Sequence, residues 1–254
     1  MGESGRHVLV TGAGSGIGAA IARRFARAGE CVTLAGRTRA KLEAVAADCP
    51  NAAVVVMDVS APESITQAVD NAIAHFGPVR VLVNNAGIAP TAPFEKTTRE
   101  LLRETMAVNL EGVLLLTQAV LPGMREAGFG RIVNIASTAG LKAYRYCAAY
   151  AASKHAVIGL TRVLALETAE QGITVNAVCP GFTRTPLVEQ AVQRIVDRTG
   201  KTTEEVLEVY TADNPQRRLI EPDEVADLVF YLASAAAKGI TGQALVLAGG
   251  EVMA

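Results

Sequence analysis

Short runs rich in β-branched residues alternate with longer helical patterns along the whole chain, the signature of repeated βαβ units and a parallel sheet. The runs predict strands at His7–Val10, Cys31–Ala35, Ala53–Met57, Val79–Val83, Arg131–Ile135, Thr174–Cys179 and Ala244–Leu247. Several lack polar alternation, Val54-Val55-Val56 among them, and a strand apolar on both faces is expected where helices cover both sides. The predicted fold class is therefore α/β, with a seven-stranded, doubly wound parallel sheet as the middle of three layers. No linker or internal repeat divides the chain, so residues 1–254 are read as one domain.

Helix starts are expected at Ser15, Pro62, Thr98 and Pro222, where a capping or first-turn residue precedes periodic apolar positions. The segment 183–214 breaks the rhythm with two short helical patterns, Leu187–Thr199 and Thr203–Tyr210, split by Gly200. Extra length beside the carboxyl ends of strands borders the ligand crevice, which makes this insertion a substrate-lid candidate; an exposed helical hairpin is the plainer alternative. Two long helical patterns, Leu101–Met124 and Tyr150–Glu170, are apolar almost all round. One sheet face cannot cover both sides of such a helix, so a homodimer or homotetramer is expected.

Composition narrows the class of function. Half the residues are apolar and only 4% aromatic, which suits close-packed helices on a Val/Ala/Leu-rich sheet. With 24 basic against 25 acidic side chains, the charge of −1 offers no footprint for nucleic acid or anionic lipid. Cys31, Cys49, Cys147 and Cys179 form no Cys-x-x-Cys, and the three histidines have no metal-ligand spacing. The N-terminal residues do not read as a signal peptide, and no apolar run approaches a membrane span, so a cytoplasmic protein with small-molecule or protein partners is expected.

The chemistry-bearing residues follow the predicted strands. After the first comes Thr11-Gly12-Ala13-Gly14-Ser15-Gly16-Ile17-Gly18. Glycines 12, 16 and 18 permit positive φ and close backbone approach, so a pyrophosphate can rest on the free N–H groups of a helix N-terminus, with Ser15 adding a hydroxyl. A tight turn without ligand would also use such glycines. An acidic residue at the end of the second strand would bind the adenosine ribose and repel a 2′-phosphate. Gly36 stands there, followed by Arg37, whose guanidinium suits a phosphate and points to NADP(H); a solvated surface charge is the alternative. Tyr150 and Lys154 lie four apart, one helical turn, where an ammonium is expected to lower the phenol's pKa and make it a general acid/base.

These motifs in this order, with Asn84-Asn85-Ala86-Gly87 after the fourth strand and Ser137 after the fifth, resemble the short-chain dehydrogenase/reductase family from His7 to about Gly250. The resemblance implies a single-domain Rossmann fold and an oxidoreductase that interconverts a ketone and a secondary alcohol. It implies that Tyr150 donates the proton, Ser137 binds the same oxygen, Lys154 binds the nicotinamide ribose, and Asn109 anchors a water-mediated proton relay. It assigns Asp58 to the adenine, with Val59 beside it, and Asn85, Ala86 and Gly87 to the wall of the cofactor site. Pro180, Gly181, Thr183 and Thr185 are assigned to the nicotinamide carboxamide and diphosphate.

Ser153-Lys154-His155 and the stretch Thr174–Phe182 are similar to 3-oxoacyl and polyketide ketoreductases, which implies an NADPH-dependent reductase of an acyl thioester, on CoA or a carrier protein, or of a polyketide-like ketone. Thr185-Pro186-Leu187-Val188 is also similar to 3-hydroxybutyrate or hydroxyacyl dehydrogenases that use NAD(H). A nucleotide-sensing regulator without turnover is the alternative of another class, and it would be expected to lack Tyr150 or Lys154. Ala248-Gly249-Gly250 stands where the family commonly has Asp-Gly-Gly.

Overall fold

The computed structural model describes residues 5–253. Seven parallel strands form one sheet in the order β3-β2-β1-β4-β5-β6-β7. They are β1 (His7–Thr11), β2 (Cys31–Gly36), β3 (Ala52–Val56), β4 (Val81–Asn84), β5 (Gly130–Ile135), β6 (Ile173–Pro180) and β7 (Ala244–Leu247). Strand order reverses between β1 and β4, and the crevice beyond their carboxyl ends is where such sheets bind ligands.

Alternation along single strands explains the two helical layers. Val8 and Val10 face one core and Leu9 the other, all three fully buried. The first core is closed by α1 (Gly16–Arg27), α2 (Arg39–Ala46) and α9 (Pro222–Leu232). The second is closed by α3 (Pro62–Phe76), α5 (Gly112–Glu126) and α6 (Ala148–Thr168). α4 (Arg99–Met106) begins at Thr98, whose hydroxyl accepts the Leu101 amide, and runs into α5 through a π-helical turn, Ala107–Glu111. α7 (Pro186–Thr199) and α8 (Thr203–Thr211) form the segment inserted after β6, with Gly200 between them at φ +69°.

Three expectations need correction. Val54-Val55-Val56 is not covered on both sides: β3 is an edge strand and Val56 is 45% exposed, so its apolar run reflects β-propensity as much as burial. β4 begins at Val81 rather than Val79, although Val79 is buried and the Arg80 amide still donates to the His7 carbonyl. Finally, one helical stretch, Arg99–Glu126, is long and apolar enough by length and composition to cross a membrane. Its inner face carries Leu116, Val120, Leu121 and Met124 into the second core, which accounts for its hydropathy without a bilayer.

Candidate active site

The glycine-rich turn is shaped by contacts that leave no room for side chains. A Cβ on Gly18 would lie 2.4 Å from the Gly12 carbonyl oxygen and 2.5 Å from Asn85 Nδ2, and Gly12 itself has φ +64°. Ser15 takes the N-cap position of α1 in extended backbone and makes no cap hydrogen bond, so its hydroxyl and the first-turn amides face outward. Gly16 and Ile17 open the helix, and a Cβ on Gly16 would meet the Thr185 methyl at 3.0 Å. Thr185 caps α7 by accepting the Val188 amide, so the threonine loop and the glycine turn close on each other. This cradle fits a pyrophosphate.

Asn85 and Ala86 serve the cradle from behind. The Thr11 hydroxyl accepts both their amides at 3.0 Å, while Asn85 Nδ2 donates to the Thr11 carbonyl at 2.9 Å. Asn85 therefore ties the end of β4 to the glycine turn. Gly87 is the exposed member, and a Cβ there would lie 3.2 Å from Asn109 Oδ1 and 3.7 Å from Lys154 Nζ. Pro180 ends β6, the Gly181 amide donates to the Leu247 carbonyl, and Thr183 is buried with its hydroxyl on the Gly181 carbonyl.

At the adenosine end, Gly36 has no positive φ, and a Cβ there would make only ordinary contact with Leu42 at 3.4 Å. Arg37 is exposed. Lys41, one turn into α2, approaches the glycine-rich turn so closely that a Cβ on Gly14 would lie 3.0 Å from Lys41 Cβ. Its exposed side chain starts beside the glycine turn, a relation overlooked in the sequence because Lys41 lies in another element and its approach to Gly14 is purely tertiary. The Asp58 carboxyl is held below its usual range chiefly by the hydroxyl and amide of Ser60, with the Arg37 charge adding to the effect. Val59 packs into the second core and against Gly112, where a Cβ would come within 2.6 Å of the Val59 carbonyl oxygen.

The four expected catalytic residues converge. Ser137 follows β5 in extended backbone and starts a tight turn, its Oγ accepting the Ala139 amide at 3.0 Å. Tyr150 and Lys154 share one face of α6, with Nζ 5.7 Å from the phenol ring centre. Lys154 Nζ donates to the Ile135 carbonyl at 2.8 Å. Burial lowers its pKa to about 8, against a small opposing effect from Cys179. The expectation that Lys154 depresses the Tyr150 pKa is overturned: burial raises it, and the hydrogen bond with Ser137 pulls only partly the other way. The reason is that the ammonium is engaged with a carbonyl and both groups lie where charge is poorly solvated.

Asn109 is fixed by its side chain. Buried in the π-helical turn, its Oδ1 accepts the Ile88 amide at 2.9 Å, and its Nδ2 donates to the Ile88 carbonyl and to Ser153 Oγ. Both amide hydrogens are committed, so the side chain locks the β4 loop to α6 and a relay from this position falls to the main chain. Behind it, Asn84 Nδ2 donates to Asn134 Oδ1 at 2.8 Å and Asn134 Nδ2 to Thr161 Oγ1 at 2.9 Å, a buried polar ladder joining β4, β5 and α6. Over the site, Tyr144, Phe182 and Tyr210 pack edge to face, at 5.9 Å and 4.8 Å between ring centres. No cluster of His, Cys, Asp and Glu among the described residues has metal-ligand geometry.

A parallel sheet with its glycine turn at the switch point, and a Tyr, Lys, Ser and Asn gathered beyond β4 and β5, define a nucleotide-dependent oxidoreductase class. Residues 6–195 match the short chain dehydrogenase family, and the chain belongs to it. It is 43% identical over 254 residues to the monensin polyketide synthase putative ketoacyl reductase of Streptomyces virginiae, covering 98% of this chain and 97% of that protein. It is 36% identical to the D-beta-hydroxybutyrate dehydrogenase of Cupriavidus necator, covering 98% of each. The crystal structure of a variant actinorhodin polyketide ketoreductase with NADPH superposes with a TM-score of 0.92 at 41% identity, covering 97% of each chain.

The raised Tyr150 pKa has a direct consequence in the protein alone. In a ring-labelled NMR titration assigned with Tyr150→Phe, the Tyr150 signal should remain that of a neutral phenol past the ordinary tyrosine value of about 10. A phenolate forming by pH ~8 would contradict the burial argument.

Proposed function

We propose that this protein is an NADPH-dependent ketoreductase that reduces a 3-oxo group on an acyl thioester or polyketide-like substrate to the secondary alcohol. The observation that carries the chemistry is a half-buried Tyr150, kept as the neutral acid, within the influence of Ser137 and one helical turn from Lys154. NADPH supplies a hydride to the carbonyl carbon. The developing alkoxide needs a proton within hydrogen-bond reach, which the Tyr150 phenol donates while the Ser137 hydroxyl orients the same oxygen. The Lys154 ammonium, near Gly87, would bind the nicotinamide ribose. Gly12, Ser15, Gly16 and Ile17 would hold the diphosphate with Thr185, Asp58 the adenine, and Arg37 with Lys41 the 2′-phosphate.

The cation pair and the absence of an acidic residue at Gly36 favour NADPH over NADH. The likeness to D-beta-hydroxybutyrate dehydrogenases supports a second reading, an NAD(H)-linked hydroxyacyl dehydrogenase, which would not need Arg37 and Lys41. A non-catalytic sensor is disfavoured because Ser137, Tyr150 and Lys154 are all present and assembled. We place the protein in the cytoplasm and read α7 and α8 as its substrate lid. We also read it as a homo-oligomer: Leu102, Leu114, Val163 and Leu166 are exposed on α4, α5 and α6, Leu166 at 83%, and Gly159 beside them faces open space. Leu115, by contrast, packs toward the second core and is a poor probe of that surface.

A panel of 3-oxoacyl thioesters, free 3-oxo acids and simple ketones, each with both cofactors, tests the assignment directly. Tyr150→Phe should lower kcat by at least about a thousandfold with NADPH affinity little changed; a variant retaining most of its single-turnover rate would remove Tyr150 from the acid's role. Gly36→Asp with Arg37→Ile, whose new Cβ at position 36 would make only ordinary contact with Leu42, should shift the kcat/KM ratio toward NADH by about tenfold or more. Wild type preferring NADH, with Arg37→Ala and Lys41→Ala leaving the ratio unmoved, would promote the hydroxyacyl dehydrogenase reading. Val163→Arg with Leu166→Arg should dissociate the oligomer in sedimentation velocity, and a wild-type monomer would refute the interface.

A further inference from the structure

The side chain of Glu251, two residues before Met253, is only 3% exposed although it lies beyond the last strand. A buried acid there requires partners, and it has two. Glu251 Oε1 lies 2.9 Å from Lys142 Nζ and accepts the Tyr144 phenol proton, while Oε2 sits against Gly181, where a Cβ would be 3.0 Å away. A phenol has one proton and a carboxylate only accepts, so the 2.7 Å contact between Tyr144 and Thr138 Oγ1 must be donated by the threonine. Burial, with the Glu251 hydrogen bond adding to it, holds the Tyr144 pKa well above the usual value and keeps that proton in place.

Thr138 and Lys142 are the two ends of the turn that begins at Ser137. The Gly140 amide donates to the Ser137 carbonyl, and the Leu141 and Lys142 amides donate to the Thr138 carbonyl, all at 2.9 Å. Glu251 therefore grips this turn at both ends, once through Tyr144 and once through Lys142. Lys142 also reaches Asp213 Oδ2, just beyond α8, at 3.2 Å. The tail is pinned there by a second contact: Gly249, at φ +60°, runs so close to Asn214 that a Cβ would fall 2.2 Å from its Oδ1. Two glycines bring the chain past the exit of α8 and turn the next side chain inward.

We infer that Glu251 is a positioning residue for the reaction: it holds the Ser137 turn through Tyr144 and Lys142, and Lys142 carries the hold on to Asp213 at the exit of α8, so that the catalytic serine and the proposed lid are tied through one carboxylate–ammonium pair. The clamp itself is independent of any substrate, while its effect on turnover rests on the ketoreductase reading.

Hydrogen exchange on the full chain separates the two. In Glu251→Gln, which keeps the shape and removes the charge, amides of 138–147 and 203–211 should exchange about tenfold faster, with those of β1, β4 and β5 unchanged. Trypsin should also cut sooner at Arg194, Arg198 and Lys201, which are exposed in the same inserted segment. For reduction, kcat should fall about tenfold while the NADPH dissociation constant holds. Tyr144→Phe should do the same to kcat, and the double variant should be no worse than the single ones if both act on one path. Should Glu251→Gln fail to fold, Lys142→Met breaks the same ion pair from its more exposed end. Unchanged exchange in both segments overturns the clamp, as does exchange rising equally across the sheet. Faster exchange in both segments with unchanged kcat overturns the positioning role. A wild type that reduces no ketone or thioester removes the function reading and leaves the exchange result to decide the clamp alone.

Discussion

The candidate site is organised around one buried ammonium. Lys154 is 5% exposed and donates to the Ile135 carbonyl at the end of β5; removing it from water lowers its pKa to about 8. A cation in such a place is tolerated only when carbonyls and polar side chains converge on it. Gly87 gives it room where any side chain would approach it, Asn109 fixes the neighbouring loop, and the same β5 that supplies its acceptor leads into Ser137. The sheet sets these distances, because β4 and β5 are in register at Asn84 and Asn134 and the polar ladder from those residues reaches α6 through Thr161. Moving α6 by a fraction of a turn would break the ladder and the lysine contact together.

Much of this was legible in the chain because the motifs sit at element ends, and element ends are marked by glycine, proline and capping residues. The strand-turn-helix at Thr11–Gly18 and the Tyr150–Lys154 spacing each state a geometry locally. The errors have a common origin in contacts that cross elements. The fate of Val56 depends on strand order, which a β-rich run does not encode. The sign of the Tyr150 shift depends on how burial compares with the reach of Lys154, and spacing on a helix says nothing of burial. The partners of the Asn109 side chain, the loop after β4 and Ser153 on α6, likewise belong to other elements. Lys41 and Glu251 were passed over for the same reason. One meets the glycine turn from α2, the other folds back from the far end of the chain, and neither relation leaves a trace in local pattern.

The tail shows how a departure from a family's usual residues can be read once its neighbours are known. An aspartate in place of Ala248 would stand where the structure buries a methyl group at 3% exposure beside Gly181. The acid of this segment is Glu251, three positions along, and it meets Lys142 and Tyr144. Gly249 and Gly250, both at positive φ, are what allow the chain to make that turn against Asn214 and Pro215.

The protonation states match what carbonyl reduction demands of the site. At neutral pH a phenol whose pKa burial has raised is the acid form, and Lys154, with a pKa of about 8, is largely the ammonium. Such a pair receives negative charge developing on an oxygen: the phenol has a proton to give, and the cation stabilises the phenolate that is left. Run toward the ketone, the same phenol would take its proton back from the alcohol, so Tyr150 and Lys154 lower one barrier crossed in both directions and the reactants set which way it is crossed. What burial and Lys154 decide is the state in which the site waits: a phenol with its proton and a cation beside it, ready for an oxygen that gains charge.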